Sequence, residues 1–426
     1  MSLADKKVLI LTYYWPPSGG SGVQRWVYFA KYLKRLGWEP VVLTVDPLKA
    51  AYASFDISLA QEVEGIRVIK TPTREPLRWY SWLRTGSTHK GIPQGAVPNR
   101  GWLAKIAAYI RGNYFIPDAR KGWIPYAVNA AKKILSSEKI AHLITTGPPH
   151  STHLAGLALV KSFALSWWVD YRDPWTTLFY NQHLYRSARS KRKDAALEKE
   201  VLSSASGIIT TLAQGLHDDL KQKGAKGKCI AIPNGYDAEL IEHTPAAPSI
   251  SSFHIVYTGL LTKNQDYAAL FVALQKLSDH RPVQFSLAGN ISPNIIEEIR
   301  HALPQVKVVY HGYLEHPKAI ALMKSGDVLL NFIFRGAEHQ MISGKLLEYM
   351  ATGTPILSMG DPNTAVAQLL MQGTAALMVS AKNTQGQIDF LTQCVNNPKK
   401  NIYPNVDKWS RQALTHRLIN EVLSSA

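Results

Sequence analysis

At 426 residues the chain is longer than one hydrophobic core ordinarily serves, so two domains are expected. Hydrophobic residues make up 46% and charged residues 19%, the balance of a globular protein, and no apolar run reaches the ~20 residues that a membrane-crossing helix needs. Lysine and arginine outnumber aspartate and glutamate by 48 to 31, a net charge of +17 that disfavours basic partners and suits nucleic acid, anionic lipid or phosphorylated compounds.

The run Lys7-Val8-Leu9-Ile10-Leu11-Thr12 has strand length and is too short for the core of an export signal, which points to a cytoplasmic location. It leads into Pro16-Pro17-Ser18-Gly19-Gly20-Ser21-Gly22. Val23, Trp26, Val27, Ala30 and Leu33 then recur at helical spacing, Gly37 stops the helix, and residues 40–44 form the next strand. Residues 74–121 are a basic insertion, with Arg78, Arg84, Lys90 and Arg111 among its cations and Trp79, Trp82, Tyr109 and Tyr114 among its rings. Strands are predicted over 142–145, 167–170 and 207–210, each followed by a helical pattern. Cys229 and Cys394 stand far apart with no Cys or His at metal-ligand spacing, so free thiols in a reducing compartment are expected.

The stretch Thr244-Pro245-Ala246-Ala247-Pro248-Ser249 has a linker's composition. Beyond it the same grammar returns, with strands predicted over 253–257, 283–287, 306–310, 327–330 and 355–357, and a last helix over 409–423. Continuous apolar strands joined by helices predict parallel sheets covered on both faces. The expected fold class is α/β: two Rossmann-like doubly wound domains facing each other across a cleft, spanning 1–244 and 245–405. The C-terminal helix, 406–426, is expected to pack back on the first domain. Ligands should bind at the carboxyl ends of the strands.

Three places carry chemistry. Gly19, Gly20 and Gly22 open a helix, where free N–H groups and the positive dipole end suit an anionic group. On the glycines alone, a turn needing positive φ is an equally good reading, and their spacing is not the dinucleotide fingerprint. In Gly344-Lys345-Leu346-Leu347-Glu348-Tyr349-Met350, Lys345 and Glu348 lie three apart on one helix. A lysine there can pair with phosphate and a carboxylate can accept from ribose hydroxyls, although on spacing alone a solvent-exposed pair is the more ordinary reading. Asp170-Tyr171-Arg172-Asp173 emerges from a buried strand, which makes Arg172 and Asp173 site candidates against an internal salt bridge.

Four stretches together carry a resemblance. These are Tyr14-Trp15-Pro16-Pro17-Ser18-Gly19-Gly20, Ile232-Pro233-Asn234-Gly235-Tyr236-Asp237, Tyr257-Thr258-Gly259, and Gly344-Lys345-Leu346-Leu347-Glu348 through Gly353-Thr354-Pro355. The chain resembles the retaining glycosyltransferases of family four, which have the GT-B fold. The resemblance implies that Glu348 binds the donor ribose, that Lys345 lies near the diphosphate, and that Gly19 and Gly20 face donor and acceptor. Gly259 and Gly344 fall within the donor-binding motifs. Two positions depart from the family pattern. Where the family has a glutamate eight residues before Glu348 this chain has Gln340, and the arginine that follows the glycine of the second domain is missing, leaving Lys263 as its substitute.

His150 and His153 sit three apart in a turn that opens a helix. They lack a third ligand for a metal, so one of them is expected to hydrogen-bond sugar hydroxyls, with a capping role as the alternative. The resulting expectation is an enzyme that moves a sugar from a UDP- or GDP-sugar to a glycan or lipid-linked acceptor, with retention, in surface polysaccharide or lipopolysaccharide synthesis. It binds no permanent cofactor and needs no metal, since no Asp-x-Asp motif is present. Lys345, Lys263, His150 and Asp173 are its catalytic candidates, with His150, Arg172 and Asp173 on the acceptor side. The basic aromatic insertion suits an anionic membrane surface at the inner face of the cell membrane and is preferred to a nucleic acid site. A nucleotide-sugar epimerase of the same fold and a non-catalytic sugar- or nucleic-acid-binding protein are the competing readings.

Overall fold

The computed structural model describes residues 6–50, 52, 55–75, 102–178, 181, 184–211, 215–335 and 344–424. Gln340, Arg78, Arg84 and Lys90, singled out above, lie outside them. The chain divides into two compact units: residues 1–233 with 414–426, and residues 234–413. The linker-like stretch at 244–249 thus belongs to the second unit, where Ala247 donates its N–H to Ala321 O and Lys324 Nζ donates to Thr244 O.

The first unit holds a seven-stranded parallel sheet: β1 (Lys7–Leu11), β2 (Glu39–Val45), β3 (Arg67–Thr71), β4 (His142–Gly147), β5 (Ser166–Tyr171), β6 (Gly207–Thr210) and β7 (Lys228–Ala231). Their order is β3-β2-β1-β4-β5-β6-β7, with Leu9 opposite Val41 on one side and Leu143 on the other. The connecting helices are α1 (Ser21–Arg35), α2 (Ser58–Gln61), α3 (Trp102–Tyr114), α4 (Ile124–Ser137), α5 (Ser151–Val160), α6 (Ala188–Ser204) and α7 (Leu216–Gln222). Val23, Trp26, Val27, Ala30 and Leu33 are the buried face of α1, as their spacing predicts. The helix ends because Gly37 takes φ +80° and Trp38 N–H reaches back to Leu33 O, a turn that a side chain at Gly37 would strain.

One buried ion pair ties the carboxyl end of this sheet together. Arg25 of α1 and Asp170 of β5 meet at 2.8 Å with both side chains fully buried. Trp26 Nε1 (2.6 Å) and Thr146 Oγ1 (2.8 Å) also donate to Asp170, while Arg25 donates to the carbonyls of Ile232 (2.8 Å) and Pro233 (3.0 Å). Asp170 is therefore a structural anchor, saturated by its neighbours.

The second unit repeats the plan with β8 (Phe253–Thr258), β9 (Val283–Ala288), β10 (Lys307–Tyr310), β11 (Val328–Phe332), β12 (Ile356–Met359) and β13 (Ala376–Val379), all parallel, in the order β10-β9-β8-β11-β12-β13. Its helices are α8 (Ala238–His243), α9 (Phe271–Ser278), α10 (Pro293–Ala302), α11 (His316–Ser325), α12 (Gly344–Thr352), α13 (Ala365–Leu370) and α14 (Thr384–Asn396); the last helix, α15 (Arg411–Leu418), starts in the second unit and from Leu414 belongs to the first, continuing through a wider turn over Ile419–Leu423. The second-unit core gathers Ile255, Tyr257, Phe285, Leu287, Leu330 and Leu357. Strands β3, β7 and β13 are additional to those the apolar runs predict. Each is a sheet edge and only partly buried; β3 is interrupted by Arg67 and Lys70 and β7 opens on Lys228, whereas β13 is a short apolar run, Ala376-Leu377-Met378-Val379.

Candidate active site

In each sheet the strand order reverses once, between β1 and β4 and between β8 and β11. Loops diverge there and leave a crevice outside the carboxyl ends, which is where doubly wound sheets bind ligands. A cavity of about 310 Å³ lined by Pro355, Ala376, Phe390 and Cys394 lies at the opposite, amino ends of β12 and β13, so it is not the place to look for the nucleotide.

In the second unit the loop after β8 begins at Gly259 (φ +122°), which is packed against Gly289 (φ +121°) of the loop after β9. A Cβ on Gly289 would collide with the Gly259 carbonyl, so a close backbone approach fixes this loop pair. α12 follows β11 and is pinned to the end of β8: Tyr349 Oη accepts the Thr258 N–H at 2.8 Å. This sets Lys345, in the first turn of α12, beside Gly259, with its ammonium 3.9 Å from the centre of the Tyr257 ring. Among the described residues no carboxylate pairs with Lys345, and loss of water brings its pKa down to about 7. Gly344 opens the helix, half-buried.

Glu348 is one turn further along and buried. Its Oε1 accepts from His316 Nε2 at 2.8 Å, and Arg411 lies 3.5 Å away. Burial pushes the carboxyl up, but His316 and Arg411 outweigh it and hold the pKa below the usual value, so the group is a carboxylate. Oε2 accepts no hydrogen bond among the described residues. Lys263 is 66% exposed and ion-paired with Glu298, its ammonium over the Tyr267 ring.

In the first unit Gly20 caps α1 with φ 105°. One terminal nitrogen of the Arg172 guanidinium lies against Gly22, where a Cβ would overlap it, and Arg172 Nε donates to Gly147 O at 3.0 Å with a second bond to Pro148 O. Arg172 thus bridges the start of α1 and the loop after β4, on both sides of the reversal point. Burial lowers its pKa while Asp170 and Asp173 raise it, yet among the described residues no carboxylate pairs with it. Of the cluster, Asp170 enters an internal ion pair, with Arg25, while Arg172 and Asp173 form none among the described residues. Asp173 is half-buried, its pKa raised by burial against the pull of Arg172.

His150 and His153 are both buried and do not cap. His150 occupies the N-cap of α5 without a side-chain capping bond; that task falls to Asp118, which accepts from Ser151 N and Oγ at 2.8 Å. His150 stacks on Trp175 at 5.1 Å, and His153 stacks on Tyr171 at 5.2 Å while bonding Thr145 Oγ1 at 2.9 Å. Burial drives both pKa values down, to about 3 for His153, so both rings are neutral at pH 7. Among the described residues neither nitrogen of His150 makes a hydrogen bond of normal geometry, and the Pro174 backbone offsets part of the effect of burial.

Residues 252–397 match the family model described as Glycosyl transferases group 1. Sucrose-phosphate synthase from Thermosynechococcus elongatus superposes with a TM-score of 0.67 at 14% identity, covering 99% of this chain and 100% of that one. Anabaena HepE in complex with UDP-glucose superposes at 0.63 and 14% identity, over 99% and 100%. The lipopolysaccharide outer core galactosyltransferase WaaB superposes at 0.58 and 11% identity, again over 99% and 100%. The fold is GT-B. No curated protein matches the sequence.

Of the residues read from sequence, the GT-B frame brings Gly259, Gly344, Lys345 and Glu348 to one reversal point and Gly19, Gly20, His150, Arg172 and Asp173 to the loops around the other. Lys263 stands apart on Glu298. Sequence reading misses His316 and Arg411, which hold Glu348, and gives Tyr257 a place in a motif but not its role of backing Lys345. The Glu315-His316-Pro317 helix start is a usable signal for the first, because proline at the opening of a helix marks a loop–helix junction. Nothing local marks Arg411.

Proposed function

We propose that the protein is a retaining glycosyltransferase that moves a sugar from a UDP- or GDP-sugar to a glycan or lipid-linked acceptor, in surface polysaccharide or lipopolysaccharide synthesis. The observation that carries this reading is the pairing on α12 of an ammonium, Lys345, and a carboxylate, Glu348, the first with no acidic partner and the second with one oxygen open among the described residues. Glu348 Oε2 accepts from the ribose hydroxyls, oriented by His316. Lys345 and the N–H groups at the start of α12 meet the diphosphate. The acceptor hydroxyl attacks the face that the nucleotide is leaving; as the sugar–oxygen bond breaks, the departing phosphate takes the acceptor's proton. Catalysis then consists of positioning and of stabilising the negative charge that develops on the leaving group. Lys263 joins only by leaving Glu298, and an exposed pair of that kind is worth little, so the exchange is inexpensive.

Arg172, which no carboxylate pairs among the described residues, Asp173 and His150 serve the acceptor side. The proposed reaction is written without a metal because the sequence has no Asp-x-Asp motif. UDP is the first nucleotide to test, since HepE holds UDP-glucose. Titration with UDP and GDP checks the assignment. Glu348→Ala should weaken binding about tenfold or more, the loss of charge-assisted bonds to ribose. Unchanged affinity in a folded variant would refute it.

A further inference from the structure

Helix α3 (Trp102–Tyr114) is turned inside out. Its small residues face the protein: Ala108 is 2% exposed, and a Cβ on Gly112 would collide with the Leu184 carbonyl. Its large apolar residues face water, with Ile106, Tyr109, Ile110 and Tyr114 exposed by 46, 48, 44 and 69%. At 3.6 residues per turn these four share one side of the helix. A soluble protein gains nothing from ordering such a face against solvent, and contiguous exposed apolar side chains mark an interaction surface.

A second feature joins it. Asn113 on α3 accepts the Ser187 N–H at 2.8 Å and donates to Tyr185 O, which seats the start of α6 (Ala188–Ser204) beside the end of α3. Arg189, Lys191, Arg192 and Lys193 occupy the first turns of α6, all exposed, and among the described residues none is paired with a carboxylate. The N-terminus of a helix is its positive dipole end and favours acids, so four cations there oppose the local electrostatics. Lys121, next to Tyr114, lies close enough to Lys193 for the two ammoniums to repel. Residues 102–114 and 184–193 contain no Asp or Glu. The unit therefore holds like charges together beside an exposed apolar stripe, an arrangement that is unfavourable until an anionic surface with an apolar interior covers it.

We infer that the exposed face of α3 and the cationic start of α6 form a docking surface for an anionic phospholipid bilayer, with Ile106 and Ile110 entering the headgroup–acyl boundary and Arg189, Lys191, Arg192 and Lys193 on the phosphates. Charge complementarity selects the anionic lipid. The isoleucines select a bilayer over single-stranded nucleic acid, because aliphatic side chains offer bases nothing to stack on. No helix among the described residues is long and apolar enough to cross a membrane, so attachment is to the surface.

Vesicle sedimentation of the full chain tests this, with phosphatidylcholine alone and with phosphatidylcholine plus phosphatidylglycerol. The protein should pellet with the anionic vesicles only, and less as salt rises. Changing Ile106, Tyr109 and Ile110 together to Ser should cut the affinity about tenfold or more. Arg189→Glu with Lys193→Glu should cost at least about fivefold per charge. All five side chains are exposed, so an unchanged melting temperature certifies the fold. Failure to bind anionic vesicles at low salt would overturn the inference, as would binding that survives both variants. A single-stranded oligonucleotide bound through the same residues, with vesicles ignored, would also overturn it. So would a dimer in solution that the serine variant splits while vesicle binding stays absent.

Discussion

Lys345 owes its chemistry to the loss of water more than to any neighbour. Desolvation brings its pKa to about 7, and the Tyr257 ring face, 3.9 Å away, returns only part of the lost hydration. The free protein thus loses this proton as pH rises through about 7, whereas a bound diphosphate holds it. Nucleoside-diphosphate affinity should therefore fall as pH rises from 7 towards 9, by up to about tenfold per unit, with proton uptake on binding. Calorimetric titration in buffers of different ionisation enthalpy reads both effects, and Lys345→Arg should flatten the profile. An equal slope in that variant would move the titration to another group. For stability the sign is separate: the buried charge costs most below pH 7, and the cost fades as pH climbs towards the ordinary lysine value. In kinetics, Lys345→Ala should lower turnover more than it raises the donor KM, because the leaving diphosphate gains charge in the transition state. Lys345 and Glu348 were legible in the sequence as a spaced pair within a recognisable motif. His316 and Arg411 were not, because they reach Glu348 from other elements and spacing cannot report a contact across a fold.

At the scale of elements, two contacts decide whether the loops stand where the site needs them. Asp170→Asn leaves Arg25 buried without its countercharge, and loss of one partner of such a pair costs roughly 3–5 kcal/mol. Denaturant unfolding should show that loss; a change under about 1 kcal/mol would mean that water already reaches the pair. Gly289→Ala meets both a positive φ and the Gly259 backbone, which cannot swing aside as a side chain would. It should weaken nucleotide binding by shifting Gly259 even where the fold survives, as thermal melting with and without UDP would reveal. The central strands announced themselves because a strand covered on both faces is apolar throughout. Edge strands β3 and β7 face solvent in part and carry Lys or Arg, while β13 is an apolar run of only four residues, too short to tell a strand from a helix segment. Asp170 read as part of a charged loop cluster, yet it is the last buried turn of the core's own wiring. A carboxylate at a strand end looks the same in sequence whether it faces ligand or protein.

For the molecule as a whole, two sheets with the same strand order place their reversal points beside the residues that the motifs single out. The repeat of alternating strands and helices made the doubly wound architecture readable. The Pro/Ala-rich stretch at 244–249 has a linker's composition, yet it is bound within the second unit through Ala321 and Lys324. The fold alone does not separate sugar transfer from epimerisation or from binding without catalysis. Incubation of the protein with a panel of UDP- and GDP-sugars, following free nucleoside diphosphate, does. Release from a preferred donor is expected, abolished by Glu348→Ala and strongly reduced by Lys345→Ala. An isomerised nucleotide sugar with no net release of nucleoside diphosphate, or saturable binding with no chemistry at any donor, would contradict it.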